Sequence, residues 1–421
     1  MEGNVVALTE QIMTLLSIVI FCGIIGIKLS GKVKLPDTVL FIVIGILAGP
    51  AVLGLIDFKD FILANQLILT FGAAYILYDG GREIELKVIN KVKVSVLILA
   101  TVGLVISTVV LGFFSMHIFH LSFIHALLIG VVISSTDPSV LVPLFKSLNI
   151  RDKIKQTIIS ESAFNDAVAS IITFALVGVI AGGAFSLGHS LLELLKEAAG
   201  GLAVGCIAGY VVALLVSERK YALFNGHKGE VAVATVLGAY ALCAYFDFSG
   251  FMAVFVIGIV FGNKEFFKIT IEHEAQELHE SFKEVLIRIL RIMIFVILGT
   301  QIDFVLLGQY WKEALGVVAI LIFVARPVSV ICSVMLDRKA KWTMKEILFL
   351  MWTRETGVIP AALAGMLVSM GVPNAQLISS VTFMAIIITL AFQSSTKKYL
   401  AAKLGLIQDS SDSKPAAEGH A

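Results

Sequence analysis

Apolar runs of about 20 residues, each closed by a short charged loop, recur along almost the whole of this chain. In hydrocarbon every backbone N–H and C=O must be bonded within its own segment, so runs of this length and type fold as a bundle of membrane-crossing helices. The sequence divides into thirteen such spans, roughly 10–29, 36–56, 61–79, 94–116, 122–145, 154–181, 193–216, 229–246, 249–263, 285–306, 311–335, 345–369 and 375–396. The ninth is short, and the first lacks the basic leader and small-residue site of a cleavable signal. Charged residues make up only 15% of the chain against 58% hydrophobic, where a soluble domain carries about a quarter charged. Lipid is therefore the main solvent of this protein.

Loop charge gives an orientation, because Lys and Arg are retained on the cytoplasmic side. Lys28, Lys32 and Lys34 follow the first span, Arg82, Lys87, Lys91 and Lys93 the third, and Lys146, Arg151, Lys153 and Lys155 the fifth. Arg219, Lys220 and Lys228 follow the seventh, Arg338, Lys339, Lys341 and Lys345 the eleventh, and Lys397, Lys398 and Lys403 the last. The intervening loops carry little positive charge, which predicts an outside N-terminus and a cytoplasmic C-terminus. The segment 263–284 is acidic instead, with Ile271, Ala275, Leu278, Phe282 and Val285 at helical spacing. It reads as an amphipathic linking helix; the alternative is a pH- or ion-sensing role for Glu272, His273, Glu274, Glu277 and His279. Residues 1–407 are read as the membrane domain, followed not by a soluble regulatory domain but by a short polar, disordered tail at 408–421.

Several function classes fall away on composition. A net charge of +1 and the lack of a large basic face exclude a nucleic-acid partner. No P-loop sequence is present, which argues against nucleotide binding and an ATP-driven pump. Cys22, Cys206, Cys243 and Cys332 lie singly in apolar segments and read as small core residues, and no histidine sits centrally in a span to hold zinc or to suggest a cofactor.

What remains is a set of polar groups inside the spans, and such groups mark a working site by default. Span six contains Glu161-Ser162-Ala163-Phe164-Asn165-Asp166, and span five contains Ser134-Ser135-Thr136-Asp137-Pro138-Ser139. On a helix Ser162 and Asp166 share one face, and Glu161 and Asn165 the adjoining one. A monovalent cation needs a carboxylate for charge and hydroxyl or carbonyl oxygens in place of water; Asp166, Ser162, Thr136 and Asp137 supply that set. In low dielectric a proton becomes a competitor for the same carboxylate.

Pro138 lacks a donor and clashes with the preceding turn, so span five is expected to break there and to present free carbonyls at mid-membrane. A second interruption, Thr353-Arg354-Glu355-Thr356-Gly357-Val358-Ile359-Pro360, falls in span twelve. Spans five and twelve have opposite directions, as inverted six-helix repeats with two discontinuous crossed helices require. Two deep cations need partners. Arg354 is the candidate for Glu161, and Arg326 in span eleven faces the same need. A buried Glu161–Arg354 pair would be structural rather than transporting. Asp79, near the cytoplasmic end of span three, is either an interfacial capping carboxylate or part of an ion funnel.

These motifs resemble the NhaP-type sodium/proton antiporters, in the branch that includes the animal sodium/proton exchangers. The resemblance covers about 10–400 and is most specific at Ser135-Thr136-Asp137-Pro138 and Glu161-Ser162-x-x-Asn165-Asp166. It implies an all-α polytopic fold of the NhaA/NhaP-like antiporter type. The implied core helices lie at roughly 94–181 and 311–396, the dimerisation scaffold at 10–79 and 229–306, and a linker helix at 193–216. By motif position Asp166 is the cation- and proton-binding carboxylate, with Ser162, Thr136 and Asp137 as ligands and Asn165 in the place where electrogenic relatives carry a second aspartate. Electroneutral exchange of one cation (Na+, or K+ or Li+) for one proton by a homodimer in a cell membrane follows as the expectation. Glu161 and Arg354 match the structural ion pair, Arg326 the basic residue of span eleven, and Asp79 an acidic funnel position. The chain departs from the pattern at Thr353-Arg354-Glu355-Thr356-Gly357, where relatives more often have glycine around the arginine, so that Glu355 competes with Glu161 for Arg354. A gated cation channel lined by the same oxygens, or a sensor retaining a vestigial ion site, are the readings from other classes.

Overall fold

The computed structural model describes residues 2–33, 35–58, 60–89, 92–136, 150–182, 187–217, 223–224, 227–264, 266–267 and 273–407. The fold is all-α: α1 (Glu2–Val33), α2 (Asp37–Ala48), α3 (Ile62–Arg82), α4 (Lys93–Phe119), α5 (Phe123–Ser134), α6 (Asp152–Ile180) and α7 (Leu187–Leu215) form the first part. They are followed by α8 (Lys228–Tyr245), α9 (Gly250–Gly262), α10 (His273–Thr300), α11 (Phe304–Leu336), α12 (Met344–Trp352), α13 (Val358–Ser369) and α14 (Ala375–Leu404). Each of the thirteen expected spans overlaps one of these helices, span two only as far as Ala48 and span five, among the described residues, only as far as Ser134, with α12 and α13 dividing span twelve between them. Among the described residues, seven helices are long and apolar enough to cross a membrane, and α2, α5, α9 and α13 are shorter apolar helices.

Helix α13 explains why the interruption in span twelve sits where it does. Pro360 would remove a hydrogen bond from the interior of a continuous helix; with α13 starting at Val358 it lies in the first turn, where N–H groups have no intrahelical partner. Thr353 (φ −85°, ψ 92°) and Gly357 (φ −145°, ψ −133°) carry the chain across the gap. Once started, α13 buries ten consecutive residues, Val358 through Leu367, as expected of a helix surrounded on all sides. Helix α5 ends at Ser134, and Ser135 turns extended (φ −71°, ψ 145°). Residues 137–149, which include Asp137, Pro138 and the rest of span five, lie outside the described residues, as do Ile271 and Glu272 and the side chains of 273–279 in the acidic segment, and the tail from 408.

Close helix approach depends on glycine at α3 and α9. A Cβ on Gly81 would strike the Phe255 carbonyl, and one on Gly258 the Tyr78 carbonyl. Small residues bring backbones together where lipid supplies no hydrophobic drive. Helix α9 also packs on α7, α10 on α2, and α5 on α4; α13 lies against α3, α10 and α14. By contrast α1 leaves much of its surface open, including Met13, Phe21 and Ile25.

Charged contacts collect at one end of the bundle. Glu346, in a capping box with Thr343, receives Lys153 at 3.1 Å and Arg151 at 3.5 Å, tying α12 to the start of α6. Gln156 donates to Glu85 at 3.0 Å, joining α6 to the loop after α3. Lys283 on α10 bridges Asp79 and Glu280, each at 2.8 Å, and Arg82 pairs with Glu280. Asp79 thus forms an ion pair that joins α3 to α10. Asp337 accepts from the Ser95 N–H (3.0 Å), the Ser95 hydroxyl (2.6 Å) and the Ala340 N–H (3.2 Å). Burial would raise its carboxyl, but these donors outweigh it and hold the group below its usual range.

Candidate ion-binding site

Asp166 is buried near the middle of α6, where α6 meets the unwound end of α5. The end of α5 leaves Ser135 and Thr136 in non-helical backbone, so both can turn toward α6. The Ser135 hydroxyl donates to Asp166 Oδ1. The Thr136 hydroxyl donates to Ser162 Oγ at 2.9 Å and accepts from Asn165 Nδ2 at 2.8 Å, while the Thr136 N–H donates to Asn165 Oδ1 at 3.2 Å. All five side chains are buried. Four of them, Thr136, Ser162, Asn165 and Asp166, are among those singled out by sequence; the fifth candidate, Asp137, lies outside the described residues.

Ser135 was missed as a site residue. It has no distinguishing sequence mark beyond its place in the Ser-Ser-Thr run before the proline, and the pairing to Asp166 depends on where α5 unwinds. The faces of α6 also sort differently from the helical-wheel reading. Asn165 joins Ser162 at Thr136, and Glu161 alone turns to the other side, toward α11.

That other side holds a correction. Glu161 pairs with Arg326, not with Arg354: Arg326 Nη1 contacts Oε1, and Nη2 lies 2.9 Å from Oε2. Arg326 also donates through Nε to the Leu350 carbonyl at 3.1 Å and through Nη2 to the Thr353 carbonyl at 3.3 Å. One guanidinium therefore neutralises the deep glutamate of α6 and satisfies the free carbonyls at the end of α12. Planar, five-donor Arg suits this dual task.

Arg354 is left to cap a different helix end. Its Nη2 donates to the carbonyl of Ser134, the last residue of α5, where a cation is favoured by the helix dipole. Glu355 does not take Arg354 either. It pairs with Lys397 of α14, and both are fully buried. Lys397, read from sequence as a loop charge after the last span, is thus interior. The physical reason is that α14 continues helical to Leu404, which turns Lys397 inward while Lys398 faces out.

Among the described residues, the meeting of the two interrupted segments with α6 brings the Asp166 carboxylate and several hydroxyl oxygens together with two guanidinium groups, one paired with Glu161 and both bonded to carbonyls at helix ends. The buried hydroxyls of Ser134, Thr353 and Thr356 have no hydrogen-bond partner among the described residues and add oxygens to this region. A carboxylate with hydroxyl oxygens beside it offers the hard-oxygen ligands that a small cation or a proton takes.

The chain matches the family profile described as "Sodium/hydrogen exchanger, transmembrane" over residues 16–403. It is 30% identical over 380 residues to the K(+)/H(+) antiporter NhaP of Alkalimonas amylolytica, covering 90% of this chain and 64% of that one. It is 28% identical over 412 residues to the Probable Na(+)/H(+) antiporter 2 of Methanocaldococcus jannaschii, covering 92% and 95%. The chain thus spans less than two thirds of the length of the first relative and nearly all of the second. The solved structure of the sodium proton antiporter MjNhaP1 from Methanocaldococcus jannaschii at pH 8 superposes with a TM-score of 0.82 at 24% identity, covering 94% of this chain and 99% of that one. The two share a fold.

Proposed function

This chain belongs to the transmembrane sodium/hydrogen exchanger family, and from that premise we propose that it is a secondary antiporter exchanging a monovalent cation for a proton at Asp166. The observation that carries the reading is the buried Asp166 carboxylate held by Ser135 beside the linked oxygens of Thr136 and Ser162. An ionised carboxylate in low dielectric needs a neutralising partner, and a bound proton and a bound cation each satisfy it. Competition for one group couples the two fluxes in opposite directions. It also forbids the empty, charged site from crossing.

Among the described residues Asn165 is neutral and Glu161 is paired with Arg326, which leaves Asp166 as the carboxylate that takes up and releases the proton and supports electroneutral one-for-one exchange. Asp137, by its place in the motif, completes the ligand set. Na+ is the favoured cation, on the description of the family profile, and K+ the close competitor, because the relatives carry names of both kinds; Li+ fits the same hard oxygens. The reading places core helices at 94–181 and 311–396, moving against a scaffold at 10–79 and 229–306 with 193–216 as linker. The protein would work as a homodimer in the cell membrane with the N-terminus outside and the C-terminus in the cytoplasm, consistent with the loop charges.

The test is proton movement in proteoliposomes on addition of Na+, K+ or Li+, comparing the wild type with Asp166→Asn. Cation-driven proton flux that disappears in a folded Asp166→Asn protein supports the proposal. Unchanged flux in that variant sinks the site, and cation current without proton movement replaces the exchanger with a channel.

A further inference from the structure

Helix α14 carries three polar side chains at four-residue spacing, Thr389, Gln393 and Lys397, and all three have no exposed surface. Each grips the interruption between α12 and α13. The Thr356 N–H donates to Thr389 Oγ1 at 3.1 Å, Gln393 Nε2 donates to the Trp352 carbonyl at 2.9 Å, and Lys397 pairs with Glu355. The stretch Thr389–Ser394 is a π-turn, a local widening that often marks functional sites.

Ordinary packing does not account for this stripe. Desolvating two charges is costly, and an apolar pair of similar size would join two helices without that cost. A broken helix, however, leaves carbonyls at the end of one half and N–H groups at the start of the other without partners. Gln393 supplies a donor to the first set and Thr389 an acceptor to the second. Lys397 fixes the side chain between them. Arg354 sits inside the gripped segment 352–356 and donates to the Ser134 carbonyl. The next residue of that chain, Ser135, donates to Asp166. Any shift of the segment is passed by two hydrogen bonds to the carboxylate.

We propose that Thr389, Gln393 and Lys397 are positioning residues for cation binding, and that α14, through Glu355 and the interrupted helix, sets the geometry at Asp166. The proposal rests on the cation/proton exchange reading above. It assigns a role to α14 that the ligand set does not contain, and it predicts an effect on cation affinity rather than on folding alone.

The experiment measures apparent KM for Na+ and for K+, and maximal rate, in proteoliposomes of the wild type, the neutral Glu355→Gln/Lys397→Met double variant, and Gln393→Leu. Ser395→Ala, on the exposed side of the same helix, is the control. Both α14-directed variants are expected to raise apparent KM by about tenfold, the size of loss typical when a partner that orients a ligand is removed, with a smaller fall in maximal rate. Ser395→Ala should match the wild type. An unchanged KM in folded variants, with only maximal rate or thermal stability lowered, overturns the proposal. Should the double variant not fold, Gln393→Leu, which keeps both charges, decides. A wild type without cation-driven proton flux would instead overturn the exchange reading. The positioning proposal would then be judged by the Na+ and K+ concentrations that half-maximally raise thermal stability in detergent, which must move upward in Gln393→Leu.

Discussion

Arg326 holds Glu161 with both terminal nitrogens of its guanidinium, and neither side chain reaches solvent. The same arginine bonds the Leu350 and Thr353 carbonyls, so α6, α11 and the interrupted helix meet at one cation. Removing one partner leaves an uncompensated buried charge. Arg326→Met or Glu161→Gln should each lower stability by about 3–5 kcal/mol. The Glu161→Gln/Arg326→Met double variant should recover part of that loss. Thermal unfolding of the purified protein in detergent is the readout, and a double variant no better than the worse single would contradict a pairwise interaction.

The hydroxyl of Ser135 donates to a carboxylate, and hydrogen bonds to charged groups contribute about 1.5–3 kcal/mol. Ser135→Ala is therefore expected to weaken cation binding without abolishing exchange, whereas Asp166→Asn abolishes it. Dose–response curves of proton flux against Na+ and K+ separate the two outcomes. A Ser135→Ala protein with wild-type apparent affinity would remove Ser135 from the site.

Gly258 lies against the Tyr78 carbonyl, and an added methyl there meets backbone rather than a yielding side chain. Gly258→Ala should push α9 from α3 and destabilise the protein by about 1–3 kcal/mol. Gly178, in α6, has open space around it. Gly178→Ala should be neutral or stabilising by about 0.5–1 kcal/mol through helix propensity. Paired melting curves check both, and equal effects would mean the α3–α9 contact is looser than described.

Glu280, at the charged end of α10, is partly exposed and lies between Arg82 and Lys283. Burial alone would raise its carboxyl, but the two cations lower it from the ordinary 4.5 to about 2. A folded-state value below the unfolded one means that its stabilisation is complete above about pH 4.5 and is lost as pH falls toward about 2. Glu280→Gln should flatten that acid limb of a melting-temperature profile and leave its slope at neutral pH alone. An unchanged acid limb would show that other carboxylates control it.

The sequence made the helical bundle and the two interruptions legible for different physical reasons. Spans follow from hydrocarbon thickness and backbone bonding, which act locally. The second interruption follows from Pro360 and the polar run before it, also a local matter. Pairing across helices does not have that property. Arg326 and Arg354 both sit deep in spans, and which one meets Glu161 depends on the rotation of α11, where the π-turn Leu321–Ala325 immediately precedes Arg326. Lys397 was hidden by its neighbours: with Lys398 and Lys403 it reads as a basic loop, although the repeat Thr389, Gln393, Lys397 is a buried stripe at four-residue spacing. That repeat was the available signal. Thr136, Ser162, Asn165 and Asp166 were accessible because polar groups in apolar runs have few structural uses, while Ser135 needed the unwinding point of α5.

In the proposed exchange one buried carboxylate, Asp166, couples a cation to a proton without net charge movement. Its most direct measurement is proton flux in proteoliposomes containing a pH-sensitive dye, started by Na+, K+ or Li+, with the membrane potential either clamped or imposed. Electroneutral exchange predicts cation-dependent proton movement whose rate is the same at every imposed potential. A flux that follows the potential would contradict electroneutral exchange, and a potential-driven cation current with no proton movement would contradict antiport altogether.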